Sequence, residues 1–298
     1  MPTQRLRMLS GQGVITAAYG RHYEIECADG RLIQGFPKGK KSPFAVGDQV
    51  EVTADGQITG HLPRKSLLYR SDAYRQKLIA ANTTQLLLVV ATEPSFSDAL
   101  LSRALVAAEH EGLRTVIVLN KSDLTAALPA AQDLLAPFVA LGYPVVTLAA
   151  VEDASPLLPW LAGEVSVLVG QSGMGKSTLT NALVPNAAIA TREISTALDS
   201  GKHTTTYARM HHLPPVPTGG ELIDCPGLQA FGLAHLSVQE IEYGFIEFRP
   251  LIGTCRFRDC HHMAEPDCAI KHAVATGDIH PRRFAHYHQI ASETTRSV

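Results

Sequence analysis

Two nucleotide-binding signatures occur in this chain in an order that restricts its fold more than any other feature. The run Gly170-Gln171-Ser172-Gly173-Met174-Gly175-Lys176-Ser177 follows an apolar stretch at 165–169 and opens a stretch of helical spacing. That is the strand, loop and helix context of a phosphate-binding loop. The tetrapeptide Asn120-Lys121-Ser122-Asp123 ends a second apolar stretch, 115–119, and comes before the phosphate loop. In an ordinary sheet of this kind the base-reading motif comes after it. One parallel sheet accommodates both orders if the chain is circularly permuted, which compact domains tolerate because their termini often lie close together. Such a permutation makes the loop after Asp224 the last piece of the domain, and a frayed end there needs a following module to hold it.

The glycines of the phosphate loop let successive backbone N–H groups turn onto phosphate oxygens, and the helix amino terminus adds partial positive charge. Lys176 is expected to neutralise β/γ-phosphate charge and Ser177 to place its hydroxyl on Mg²⁺, with Thr178 included in the nucleotide set. The Asp123 carboxylate can accept hydrogen bonds from the ring N–H and the exocyclic amino group of guanine, whereas adenine offers no matching donor pair. Alone, the tetrapeptide is also a plain polar loop; beside a phosphate loop on one sheet it favours GTP over ATP. Asp224-Cys-Pro-Gly227 ends the apolar stretch 221–223. There Asp224 would hold Mg²⁺ through water, and the Gly227 N–H would sense the γ-phosphate. Gly201-Lys-His-Thr-Thr-Thr206 occupies the place of a first switch, with Thr205 offered to Mg²⁺ and γ-phosphate; a Thr run is otherwise a strand edge. Leu228 stands where water-orienting GTPases carry a Gln, so hydrolysis in isolation is expected to be slow. His203 is the candidate to orient water or stabilise charge, against a His that merely rides on the loop.

The 298 residues make two domains or three small ones, and 18% charged with 45% hydrophobic residues argues against disorder. Residues 10–60 read as short strands with Asp29-Gly30 and Asp55-Gly56 as hairpin turns, the pattern of a small barrel of OB or SH3-like type. Further on, apolar runs at 86–91, 115–119, 144–148, 165–169 and 221–224 alternate with helical spacing at 99–111, 130–141 and 176–183. That alternation predicts a doubly wound parallel sheet. The segment 214–220 reads as a loop between strands.

The net charge of −2 hides an uneven distribution of +4 over residues 1–75, −5 over 76–235 and −1 over 236–298. Lys38, Lys40, Lys41, Arg64 and Lys65 give the amino-terminal part a basic face suited to phosphate backbones, or plain solvated loop charge. Near the carboxyl end Cys255, Cys260 and Cys268 cluster with His261 and His262, a donor set that suits a metal before disulfides in a chain without an export signal. Arg282, Arg283, His286, Tyr287 and His288 lie on an expected helix that either touches RNA or caps the metal module. No apolar run approaches the ~18 residues of a membrane span, so a soluble, cytoplasmic location is expected.

Over essentially its whole length the chain resembles the circularly permuted, ribosome small-subunit-dependent GTPase family (RsgA, also called YjeQ or YloQ). The resemblance rests on the barrel, the Ala80-Ala-Asn lead-in, the guanine and phosphate motifs, Gly-Lys-His-Thr-Thr-Thr, Phe231-Gly-Leu and the Cys-x4-Cys-x-His-x5-Cys cluster. It implies a multidomain α/β protein: an OB-type β-barrel over 1–68, a circularly permuted P-loop GTPase domain over 69–235 and a helical zinc-binding module over 236–298. It also implies one structural Zn²⁺ on Cys255, Cys260, His262 and Cys268, the family spacing selecting His262 over His261, and Mg²⁺ with GTP. The implied activity is GTP hydrolysis to GDP and phosphate by a monomer, stimulated by the small (30S) ribosomal subunit and its 16S rRNA, in late subunit maturation. Ordering of the loop after Asp224 is expected to reorient the zinc module that follows it. Two departures stand out. Asp-Cys-Pro-Gly replaces Asp-Thr-Pro-Gly, and Thr147-Leu-Ala-Ala150 lacks the usual Ser-Ala, which leaves the residue backing the guanine unassigned. The rivals are an rRNA-binding zinc protein that only senses GTP, which Leu228 permits, and a permuted GTPase acting on another RNA target.

Overall fold

Five short strands close into a barrel in the computed structural model, which describes residues 11–39, 43–71, 76–184, 187, 208–215, 219–225 and 232–295. They are β1 (Gln12–Tyr19), β2 (His22–Cys27), β3 (Leu32–Pro37), β4 (Gln49–Val52) and β5 (Gln57–His61). Their order is β1-β2-β3-β5-β4, with β4 returning to β1 and β3 pairing parallel to β5. Alternation puts Ile15, Ile25, Val50 and Ile58 in the barrel's centre, all fully buried. The first four strands match the sequence expectation. The fifth escaped it because Ile58 is its one fully buried side chain.

A hairpin of β6 (Leu67–Ser71) and β7 (Gln76–Ala81) leads out of the barrel and stays tied to it. The Ala81 N–H donates to Val46 O at 2.8 Å, and Asn82 Nδ2 donates to Gly47 O at 2.9 Å.

The next sheet contains β8 (Gln85–Ala91), β9 (Arg114–Asn120), β10 (Val145–Thr147), β11 (Val165–Val169), β12 (Ala208–His212) and β13 (Glu221–Asp224). Its order is β10-β9-β8-β11-β13-β12, parallel throughout except for β12. Every residue of β8 is buried, as expected for a strand covered on both faces. The covering helices include α1 (Asp98–His110), α2 (Leu128–Ala140) and α4 (Lys176–Leu183), with a single turn, α3 (Leu158–Leu161), before β11. The chain runs outward from β8 to β10 and then returns to the other side of β8 for β11 and β13. The order therefore reverses between β8 and β11, and crevices at such a reversal are where open α/β sheets bind ligands. The phosphate loop and the guanine motif both lie at that end.

Strand β12 joins the two sheets. It pairs with β13 on one side and with β1 on the other, through Ala17–Arg209 and Ala18–Ala208. Arg209 Nη2 lies 2.7 Å from Glu24 Oε1, and His212 is bracketed by Glu26 at 2.5 Å and Glu221 at 2.7 Å.

After residue 232 come α5 (Val238–Gly244), α6 (Ala269–Thr276) and α7 (Pro281–Thr295). A capping box between Ser237 and Glu240 opens α5. Phe245, Phe248, Ile270, Tyr287 and Ile290 are buried in one core beside α1. Of the residues named on the carboxyl-terminal helix, Arg283, His286 and Tyr287 are packed inside, Arg283 and Tyr287 each 1% exposed, while Arg282 and His288 are partly exposed. Among the described residues no helix is long and apolar enough to cross a membrane.

Candidate functional site

Strand β11 ends in the phosphate loop, and α4 begins at Lys176. Two glycines there are sterically required. A Cβ at Gly170 would meet Val89 O at 2.2 Å, and Gly175 holds the left-handed N-cap of α4 (φ +87°) with Asn120 Nδ2 only 2.3 Å from where its Cβ would be. Lys176 Nζ donates to Gly170 O at 2.6 Å and to Gln171 O at 2.8 Å. Ser172, Gly173, Ser177 and Thr178 are exposed around it, while Met174 is buried.

Asp224 closes the other wall. Burial raises its pKa above the usual carboxylate value, opposed by the Lys176 charge and a bond from Thr180; burial likewise lowers that of Lys176, opposed by Asp224. One carboxylate oxygen lies 3.5 Å from Thr180 Oγ1, and the other is buried with no hydrogen-bond partner among the described residues. An orphaned anionic oxygen beside the phosphate loop is the donor a divalent cation or its water would satisfy.

Asn120 is 2% exposed and bonds in two directions. Its Nδ2 donates to Met174 O at 3.0 Å, and its Oδ1 accepts the Ala150 N–H at 2.9 Å. Residues 149–151 are thereby brought beside the guanine motif without the usual Ser-Ala. Lys121 follows in the left-handed region (φ +61°), with its carbonyl accepting Thr92 Oγ1 at 2.8 Å and its Nζ donating to Glu93 O at 2.7 Å. Ser122 donates its N–H to Leu148 O at 3.2 Å, and Asp123 is exposed at the rim. Cys225, the departure after Asp224, is buried with its Sγ 3.9 Å from Ile79 O, and burial pushes its thiol pKa up. A side chain packed on β7 is not one that reads nucleotide. His203, Thr205, Gly227 and Leu228 lie outside the described residues, as do Lys40, Lys41 and Phe231.

The cysteine cluster assembles as a tetrad. Cys255, Cys260, His262 and Cys268 present ligand atoms that all lie within 4.8 Å of one another. Tetrahedral Zn²⁺, with Zn–S ~2.3 Å and Zn–N ~2.0 Å, needs S···S of about 3.8 Å and S···N of about 3.5 Å. Sγ of Cys255 is 3.9 Å from Sγ of Cys268, and His262 Nδ1 lies 3.6, 3.5 and 3.2 Å from Cys255, Cys260 and Cys268. The donor set fits. His262 reaches it from the left-handed region (φ +61°), and its Nε2 lies 2.9 Å from Glu242 Oε1, which turns Nδ1 toward the sulfurs. Cys268 is also the N-cap of α6, with its Sγ accepting the Lys271 N–H at 3.4 Å.

Three residues were missed or misread in the sequence. Glu242 orients His262, and Gln171 spends its side chain on the Ser97 N–H at 2.8 Å; no spacing in the sequence announces either bond. Arg64, expected on a basic face, is bound by both Nε and Nη2 to fully buried Asp48, at 2.6 and 2.7 Å. Lys38 and Lys65 remain exposed, and β3 exposes Leu32 and Phe36 nearby in sequence.

The family model described as RsgA GTPase matches residues 61–234. The chain is 54% identical over 296 residues to the small ribosomal subunit biogenesis GTPase RsgA of Burkholderia pseudomallei (strain K96243), covering 96% of this chain and 93% of that protein. It is 52% identical over 297 residues to the protein of the same name from Paraburkholderia xenovorans (strain LB400), covering 96% and 94%. The crystal structure of YjeQ from Thermotoga maritima matches with a TM-score of 0.71 at 30% identity, covering 95% of this chain and 98% of that one. The crystal structure of YloQ, a circularly permuted GTPase, matches with a TM-score of 0.69 at 26% identity, covering 99% and 98%.

Proposed function

The chain belongs to the RsgA GTPase family, and from that membership and the geometry of its site we infer that it hydrolyses GTP to GDP and phosphate on the small (30S) ribosomal subunit, late in that subunit's maturation. The observation that carries this reading is Asn120, one buried side chain bonded at once to the phosphate loop and to the loop beside the guanine motif. Base reading and phosphate binding therefore belong to one site.

In this reading Asn120, Lys121, Ser122 and Asp123 take the guanine, with the Asp123 carboxylate accepting its two donors. The backbone of 170–176 and the hydroxyls of Ser177 and Thr178 take the phosphates. Lys176 exchanges the carbonyls of Gly170 and Gln171 for phosphate oxygens, a gain because both partners are then charged. Ser177, Thr205 and Asp224 would hold Mg²⁺, which when bound neutralises charge on the transferring phosphoryl group. The Gly227 N–H senses the γ-phosphate and His203 orients water. Leu228 leaves hydrolysis slow until the subunit completes the site.

The division into 1–68, 69–235 and 236–298 is part of the proposal. So is a structural Zn²⁺ on Cys255, Cys260, His262 and Cys268: three thiolates and an imidazole leave no open position for catalysis. The barrel, through Lys38 and Lys65, meets 16S rRNA, and the protein acts as a monomer in the cytoplasm.

Turnover of GTP and ATP with and without purified small subunits tests the reading. GTP turnover stimulated by the subunit is expected. A preference for ATP defeats the guanine assignment, and GTP binding without stimulated turnover favours the sensor that Leu228 permits.

A further inference from the structure

The phosphate loop and the carboxyl-terminal helix meet at the amino terminus of α1. Gln171 Oε1 accepts the Ser97 N–H at 2.8 Å, and Ser97 is the N-cap of α1. Asp98, the next residue, carries two groups of α7: Arg282 Nη1 lies 3.1 Å from its Oδ2, and His286 Nε2 lies 3.4 Å from its Oδ1. One turn later Ser102 Oγ lies 2.8 Å from Arg283 Nη1 and 2.9 Å from His286 Nδ1. Arg283 is in turn fixed by Glu247 at 2.7 and 3.2 Å. The first turn of α1 thus has the phosphate loop bonded on one side and α7 on the other. Ser102, Arg283 and His286 are buried, with little water to substitute for a lost partner, whereas Asp98 and Arg282 are 20% and 37% exposed. A shift at the start of α1 is therefore felt in α7 chiefly through the buried three.

The phosphate loop shows one bonding arrangement, and phosphate would favour another. In the structure Lys176 Nζ is bonded to Gly170 O and Gln171 O. Phosphate in the loop competes for that ammonium and leaves the two carbonyls to find other donors. Gln171 would take that change at its backbone while its side chain holds Ser97, the residue that opens α1 and precedes the seat of Arg282 and His286.

We propose that Asp98 is a positioning residue that couples nucleotide occupancy of the phosphate loop to the docking of α7, and through Tyr287 of α7, whose ring lies 5.9 Å from that of His262, to the metal module. The inference rests on the nucleotide reading above. It is reciprocal by linkage: the factor by which nucleotide strengthens or weakens α7 docking is the factor by which docking changes nucleotide affinity.

Hydrogen exchange of the α7 amides in the full chain, with and without GDP or a non-hydrolysable GTP analogue, tests the coupling when nucleotide affinity is measured on the same samples. The unaltered protein is expected to change its α7 exchange about fivefold or more on binding nucleotide. Asp98→Asn keeps the shape and removes the charge; it is expected to abolish that difference and to shift nucleotide affinity by the same factor. Arg282→Gln breaks the pair from the α7 side with the same expected loss, and serves if Asp98→Asn folds poorly. A purely structural Asp98 would raise exchange equally in free and bound protein, which overturns the proposal. So does α7 exchange that ignores nucleotide in the unaltered chain. Failure to bind guanine nucleotide at all overturns the nucleotide reading and the coupling with it.

Discussion

Asn120 Nδ2 lies 3.0 Å from Met174 O, and this one bond joins two motifs that the chain presents in reversed order. The same side chain accepts the Ala150 N–H at 2.9 Å, so deleting it leaves a buried carbonyl and a buried N–H without partners. Each such orphan costs about 1–3 kcal/mol. Asn120→Ala is expected to weaken GTP and GDP alike by roughly 10- to 100-fold, given about 1.4 kcal/mol per tenfold, and to lower the melting temperature. Titration with fluorescent nucleotides checks it; unchanged affinity would mean that other bonds hold the two loops together.

Glu242 lies 2.9 Å from Nε2 of His262, behind the cysteine tetrad. Removing such a partner from a ligating His typically costs about 10- to 100-fold in metal affinity. Glu242→Ala is expected to lose zinc to a competing chelator at correspondingly lower chelator concentration, while Cys268→Ser is expected to lose it outright. Zinc content by atomic absorption, about one per chain in the unaltered protein, is the measurement. A chain that carries no zinc as purified, with α6 and α7 intact by hydrogen exchange, would remove the structural role.

The parts legible in the sequence share a physical cause. Strands β11 and β13 are legible to the residue because short, mostly apolar stretches with buried centres are bounded by loop residues, and helix α4 because it follows the phosphate loop at once and buries Leu179, Thr180 and Leu183 at helical spacing. The phosphate loop, guanine motif and cysteine tetrad were legible because backbone geometry fixes their spacing. Strand β12 was not, since Ala-Arg-Met-His-His spends its polar side chains on Glu24, Glu26 and Glu221 across a seam between two sheets. A pairing of that kind has no period. Arg64 was read as surface charge for a similar reason: its partner Asp48 looks like any exposed Asp until the barrel buries it.

Asp48 is fully buried, and among the described residues Arg64 and the Ala45 N–H compensate its charge. Taking one partner from a buried ion pair costs about 3–5 kcal/mol, because the other charge stays behind. Arg64→Met is expected to lower the urea midpoint of the chain accordingly. Lys65→Met, at an exposed neighbour, is expected to stay within about 0.5 kcal/mol of the unaltered protein. Equal midpoints for the two variants would show that Arg64 is not structural.

His212 lies 2.5 Å from Glu26 and 2.7 Å from Glu221, and so pins β12 to both neighbouring sheets. The bond to Glu221 foremost, against burial and with help from Glu26, pushes its pKa up to about 9. A free His titrates near ~6.5, so between those values the folded chain keeps a proton that the unfolded chain releases. The contribution of His212 is therefore complete below about pH 6.5 and is lost as pH rises through about 9. Its side chain is 58% exposed, so screening by solvent keeps the effect modest. His212→Gln removes the titrating group. The gap in urea midpoint between unaltered chain and variant is expected to be widest near about pH 6 and to close by about pH 10. A gap that stays constant or widens with pH would mean that the seam between barrel and sheet is held by Arg209–Glu24 and the strand pairing alone.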